Sequence, residues 1–192
     1  RDSNNQIISR TDAGMPAISD PGEDIVRLCA KRHIAVSVIP GCCAAVSALS
    51  LSALATGRFA FEGFLPAQKK EKEARLEKLK EEERTMILYE APHRLKETLS
   101  HLLRTFGDER QISLCRELTK RNEEILRMTM EDAISYYNEN EPRGEYVLIV
   151  EGLLEAIANG CGFLDEETFR GEFIKFKTLH NFETKLVEMQ KE

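Results

Sequence analysis

Two periods alternate along the first third of the chain. "QIIS", Gln6 to Ser9, reads as a short buried strand. Ile25, Val26, Leu28 and Cys29 then recur at helical spacing, behind Ser19 or Asp20 as a cap and Pro21 in the first turn. "IAVSVIP", Ile34 to Pro40, is a second buried-strand run closed by Pro40-Gly41, and "CAAVSALSLSALA" follows as a helix of small residues suited to close packing on a sheet. Strand, loop, helix, strand, loop, helix predicts an α/β domain with a parallel sheet, whose ligands bind outside the carboxyl ends of the strands. Thr11 to Gly22 and Pro40 to Ala44 are two such ends.

"FAFEGFLP" breaks this alternation and leads into "AQKKEKEARLEKLKEEER", a helix of nearly balanced charge with few apolar positions. A solvated helix joining two halves is the expectation, with the boundary near Gly63 to Pro66. The second half offers "TMILYE", a helix from Pro92 to about Phe106, "QISLCREL", "EEILRMTM", a helix near Met130 to Asn138, and "EYVLIVEG". Strands in close succession predict a mixed sheet with helices. The organisation expected is therefore a first domain over 1–63, a charged connector over 64–84, a second α/β domain over 85–152, and a tail over 153–192 that "FETKLVEMQKE" marks as helical.

Composition narrows the function class only a little. With 192 residues, a net charge of -6 and 42% hydrophobic residues, the chain can bury a full core. No run reaches the roughly 18 apolar residues of a membrane span. The five cysteines lack zinc spacing and read as reduced packing residues of a cytosolic protein. The chain begins at Arg1, without methionine, close to an apparent strand, which suggests a fragment or a processed product.

The loop "TDAGMPAISDPG" is stiff and acidic. Asp12 and Asp20 lack the alternating oxygen ligands of a calcium loop, and no P-loop lysine accompanies the glycines, so neither a metal nor a phosphate cradle is expected. What the residues allow is close approach of a ligand to the backbone at Gly14, with Asp12 as an acceptor for hydroxyls or a cation. A tight strand-to-helix connection that binds nothing fits the same residues.

In order, "TDAGMPAISDPG", "PGCCAAVSAL", "FEGFLP", "LYEAPHRL", "RELTK" and "GEYVLIVEG" resemble motifs of the bacterial 16S ribosomal RNA 2'-O-ribose methyltransferases of the tetrapyrrole-methylase (class III) superfamily. The resemblance covers Ile7 to Gly152. It implies two α/β domains, S-adenosylmethionine in the cleft between them, a cytoplasmic homodimer, and as substrate a cytidine of 16S rRNA in the small ribosomal subunit, with no metal, membrane or DNA involved. The family's opening strand, glycine-asparagine-leucine loop, helix and acidic segment have no counterpart before Ile7, so the first domain is expected to be truncated. Thr11 stands where serine is usual, and Cys42-Cys43 where proline and a small residue are usual.

By resemblance, Asp12, Ala13, Gly14 and Pro16 form one wall of the cofactor site and Pro40, Gly41 and Ala44 a second, with Tyr89, Glu117, Leu118 and Gly144 closing it. Methyl transfer from a sulfonium is an in-line displacement, and a ribose hydroxyl benefits from a base or from support of the developing alkoxide. Glu90, Glu117 and Lys120 are the catalytic candidates, beside His93; ion pairs of Glu90 with Arg94 and of Glu117 with Arg116 are the structural alternative. Arg94, Arg116, Lys120 and Arg121 are the expected RNA-binding residues, a local basic patch on an acidic chain. Two other readings stay open: a tetrapyrrole methyltransferase, and a non-catalytic fragment or paralogue that dimerises or binds RNA.

Overall fold

In the computed structural model, residues 14–153, 155 and 156 are described. The strand expected at Gln6 to Ser9, the cofactor candidates Asp12 and Ala13, and the helical tail all lie outside them.

Helix α1 spans Glu23–Lys31, one turn later than a Ser19 or Asp20 cap would set it, with Gly22 at its N-cap. Helix α2 is Ala44–Leu51, strand β1 Phe59–Phe64, helix α3 Lys69–Leu79, strand β2 Thr85–Glu90 and helix α4 Pro92–Phe106. Strand β3 is Gln111–Arg116, β4 Glu124–Thr129, helix α5 Met130–Glu139 and strand β5 Tyr146–Val150. The five strands form one mixed sheet in the order β1-β2-β5-β3-β4, with β1 parallel to β2 and the other neighbours antiparallel. It follows that β1, β2 and β3 point the same way and end at one edge, where β4 and β5 begin.

Alternation along β2 and β5 sends their side chains to opposite faces. On one face Met86, Leu88, Leu148 and Val150 pack beneath α3, α4 and α5; on the other Ile87, Val147 and Ile149 meet Ala45, Ala48 and Leu49 of α2. Alanines at the α2 contact let its backbone approach the strands closely. Helix α4 supplies the larger part of the first face through Leu95, Leu99 and Leu102, all fully buried at i, i+4, i+7 spacing. Leu99→Ala would open a cavity costing about 2–5 kcal/mol.

Two expectations are corrected. Ile34 to Pro40 forms no strand: Ile34, Val36, Val38 and Ile39 lie exposed, Ile39 at 90%, because no strand among the described residues offers this run a partner. The apolar residues of α1, Ile25, Val26 and Leu28, are exposed for the same lack of a sheet to cover. The charged helix α3 is also no free connector. Lys72, Leu76 and Leu79 make a buried stripe along it, and Lys72, 2% exposed, reaches out to Glu97 of α4 at 2.8 Å. A lysine stem covers apolar surface while its ammonium finds a carboxylate.

The described residues up to Leu153 form one compact unit. Pairing of β1 with β2 carries the sheet across the stretch Gly63 to Pro66, where a boundary was expected. Among the described residues no helix is long and apolar enough to cross a membrane.

Candidate functional site

Most of the candidate residues gather at the edge where β1, β2 and β3 end. Helix α2 runs antiparallel to β2, since the Thr85 hydroxyl donates to the Ala55 carbonyl at 2.7 Å beyond its far end. Its N-terminus therefore arrives beside Tyr89. Cys43, Tyr89 and Leu118 all pack against the same buried group formed by α2, β2, β3 and β5. Burial, and next the Cys43 thiol, pushes the Tyr89 phenol up, so it stays protonated. Phe61 and Phe64 of β1 meet the Tyr89 ring edge-on, at 5.2 and 5.6 Å.

The opening loop reaches the same edge. A Cβ on Gly63, whose φ of +63° already favours glycine, would meet Ser19 Oγ at 3.3 Å. Gly14 and Pro16 belong to this loop, and nothing lies within 4 Å of where a Cβ on Gly14 would stand. Pro40, Gly41 and Ala44 are exposed. The N-cap residue Cys43 makes no side-chain bond to α2, whose Ala45 N–H instead meets the Tyr89 hydroxyl.

Glu117 and Gly144 are locked together. Glu117 takes a left-handed φ of 49° and Thr119 one of 64°, strained values for residues with a side chain. Glu117 Oε1 accepts from the Glu145 N–H at 2.9 Å and from Lys120 Nζ at 3.0 Å, and Lys120 also reaches Glu145 Oε2 at 2.9 Å. A Cβ on Gly144 would stand 2.5 Å from Glu117 Cγ. The Glu145 backbone bond first, and Lys120 second, hold the Glu117 carboxyl below the usual range. Glu145 and Glu117 raise the Lys120 ammonium, which keeps it cationic.

Glu90 is turned inward. It is 2% exposed, its Oε1 accepts from the Ala91 N–H at 2.9 Å and its Oε2 from the Thr98 hydroxyl at 2.5 Å. Both bonds fix the start of α4, which has no side-chain cap at Ala91 and begins with Pro92. Arg94 lies 3.6 Å from Glu90 and donates to the Leu65 carbonyl at 2.9 Å, tying the "FLP" turn to α4. Arg116 faces Glu124 at 3.2 Å, so the expected pairing with Glu117 is replaced by one across β3 and β4. Lys120 and Arg121 are exposed near one another in chain, and His93 is exposed on the first turn of α4. The structure thus gathers Lys120, Glu117 and Gly144, while Arg94 is engaged by Glu90 and the Leu65 carbonyl.

Thr98 and Glu145, partners of Glu90 and Glu117, escaped the sequence reading. Thr98 lies eight residues beyond Glu90, one helical face along, and only the return of α4 over β2 makes that spacing a contact. Glu145 acts largely through its backbone, which no side-chain motif reveals.

Residues 2–134 match the family model described as Tetrapyrrole (Corrin/Porphyrin) Methylases. The chain is similar to proteins named Ribosomal RNA small subunit methyltransferase I: 49% identical over 142 residues to that of Synechocystis sp., covering 74% of this chain and 51% of the relative. It is 53% identical over 142 residues to that of Halalkalibacterium halodurans, covering 74% and 49%. It spans about half the length of the curated relatives it matches. Among solved structures, the methyltransferase CobJ aligns with a TM-score of 0.56 at 17% identity, over 73% of this chain and 62% of that one, a likeness of fold alone. Six motifs in order, a sheet that brings them to one edge, and a family model spanning most of the described residues agree: the chain belongs to the tetrapyrrole (corrin/porphyrin) methylase family.

Proposed function

We propose that this chain is part of a cytoplasmic S-adenosylmethionine-dependent methyltransferase that modifies a cytidine ribose 2'-hydroxyl in 16S rRNA of the small ribosomal subunit, acting as a homodimer. The observation that carries the reading is the arrival of Ser19 of the opening loop, Cys43, Tyr89, Leu118 and the Glu117–Gly144 turn at one edge of the sheet. The choice of RNA over a tetrapyrrole rests on relatives about half identical that carry an rRNA name, against tetrapyrrole enzymes alike only in fold.

The residues present fit the cofactor. S-adenosylmethionine, when bound, supplies an electrophilic methyl group. Leu118 and the Tyr89 ring offer an apolar wall, and the open backbone at Gly41 offers polar partners. Lys120, kept cationic, serves as support for the developing alkoxide, and Glu117 orients it. Glu117 is a poor base, since its carboxylate is held ionised by two donors. Glu90 positions α4.

Calorimetric titration with S-adenosylmethionine and tritiated-methyl transfer to small ribosomal subunits test the reading. Binding followed by label at a cytidine ribose is expected. Label on a corrinoid instead, or binding without transfer to any ribosomal substrate, would overturn it.

A further inference from the structure

At the same edge of the sheet, on the face covered by α5, lies a cavity of about 290 Å³ that none of the roles above uses. Arg116, Glu124, Tyr136, Tyr137, Arg143 and Tyr146 line it. Strand register explains the grouping, because Arg116 pairs with Glu124 on one side and with Tyr146 on the other. The three tyrosines meet edge to face, Tyr136 to Tyr137 at 5.0 Å and Tyr137 to Tyr146 at 6.0 Å.

Two buried polar atoms in this lining, Arg116 Nε and Tyr137 Oη, lack a well-aligned hydrogen bond, although the Tyr137 hydroxyl lies within bonding reach of Tyr146. Arg116 Nε lies 3.2 Å from a Glu124 oxygen without the alignment of a hydrogen bond. Tyr137 is 3% exposed, and burial, with Tyr146 beside it, pushes its phenol well up, so the hydroxyl keeps its proton as a donor. Buried donors without a well-aligned partner are rare and mark a place where one is expected. The exposed Arg143 guanidinium forms no ion pair among the described residues.

We propose that this cavity binds an unpaired nucleobase of single-stranded RNA, with Arg143 at its mouth holding the adjoining phosphate; the proposal rests on the RNA reading above. The lining decides between a base and a bare anion. Arg116 and Arg143 are matched in the lining by the carboxylates of Glu124 and Glu141, and the edge of a base, which carries both donors and acceptors, can satisfy Glu124 and Arg116 together where a bare anion satisfies only the arginines. Tyr137 and Tyr146 are each only 3% exposed, so a base here meets their edges and the half-buried ring of Tyr136, and the volume is at the lower end of small-ligand sites. Arg116 and Arg143 immediately precede Glu117 and Gly144, so the wall of this cavity is the turn that borders the proposed cofactor side. A base held here belongs to a nucleotide near the one presented for methylation.

The chain has four tyrosines and no tryptophan, and three of the four line the cavity. Fluorine NMR of the 192-residue protein labelled with 3-fluorotyrosine therefore reads the site directly, with signals assigned by tyrosine-to-phenylalanine substitution. A single-stranded RNA tetranucleotide is expected to shift the signals of Tyr136, Tyr137 and Tyr146 more than that of Tyr89. An abasic tetranucleotide and inorganic phosphate at the same concentration are expected to leave them in place. Tyr137→Phe should weaken RNA binding about five-fold, the value of one hydrogen bond. Arg143→Ala should weaken it and reduce its salt dependence by about one phosphate contact. Equal shifts with phosphate or the abasic strand would replace the base site by an anion site, and no shift with RNA would remove it. Methylated ribosomal RNA with unmoved cavity signals would sink the cavity and leave the enzyme reading standing; moved signals without methyl transfer would do the reverse.

Discussion

Glu90 is the candidate whose role the geometry changes most. Its carboxylate, 2% exposed, satisfies the Ala91 N–H and the Thr98 hydroxyl and sits 3.6 Å from Arg94. Glu90→Ala leaves two donors without their acceptor, at about 1–3 kcal/mol each, less for Ala91, which is only partly buried. The expected loss is about 3–4 kcal/mol, a large share of the about 5–15 kcal/mol that holds a domain folded. Glu90→Gln keeps one acceptor and lets the Thr98 hydroxyl reverse, so it should lose about 1–2 kcal/mol. Urea unfolding followed by circular dichroism measures both. Thr98→Val closes the cycle: combined with Glu90→Ala it should cost less than the sum, by at least about 0.5 kcal/mol, because the two groups share one bond. S-adenosylmethionine affinity of Glu90→Gln, measured under folding conditions, should stay within a few-fold of the parent. A Glu90→Gln protein as stable as the parent that nonetheless lost methyl transfer would refute this reasoning and return Glu90 to the chemistry.

Gly144→Ala should destabilise by at least about 1–2 kcal/mol for its left-handed backbone and also displace Glu117, since the new Cβ would stand 2.5 Å from Glu117 Cγ. Loss of exchange protection at the Glu145 amide, with weaker S-adenosylmethionine binding, is the expected readout; an unchanged melting temperature would contradict it. The hydrogen bond from Arg84 above all draws the Glu82 carboxyl from 4.5 down to about 2. A folded-state value below the unfolded one means stability that is present above about pH 4.5 and lost as pH falls towards 2. Glu82→Gln should therefore flatten the acid limb of stability between those values while leaving a small effect at neutral pH, and an acid limb identical to the parent's would rule this out.

The second half was legible in the sequence because its signals are local. Met86 to Leu88 and Val147 to Val150 are uninterrupted apolar runs of the kind that strands buried on both faces require, and Pro92 with Leu95, Leu99 and Leu102 sets both the start and the face of α4. The six motifs likewise declared the family without any coordinates. Other features were decided by tertiary structure. Ile34 to Pro40 has the pattern of a buried strand, yet a strand exists only where a neighbour accepts its backbone hydrogen bonds, and the described residues provide none. Lys72 reads as one charge among many along α3, and the position of Glu97 on another helix is what permits its burial. Glu90, Glu117 and Arg94 read alike as charged residues of matching motifs. Only the fold turns Glu90 inward to Thr98, sets Glu117 against the backbone of Glu145, and ties Arg94 to the carbonyl of Leu65. Residue type specifies what a group can bond, whereas the partner and the solvent it is denied come from chain segments far away in sequence.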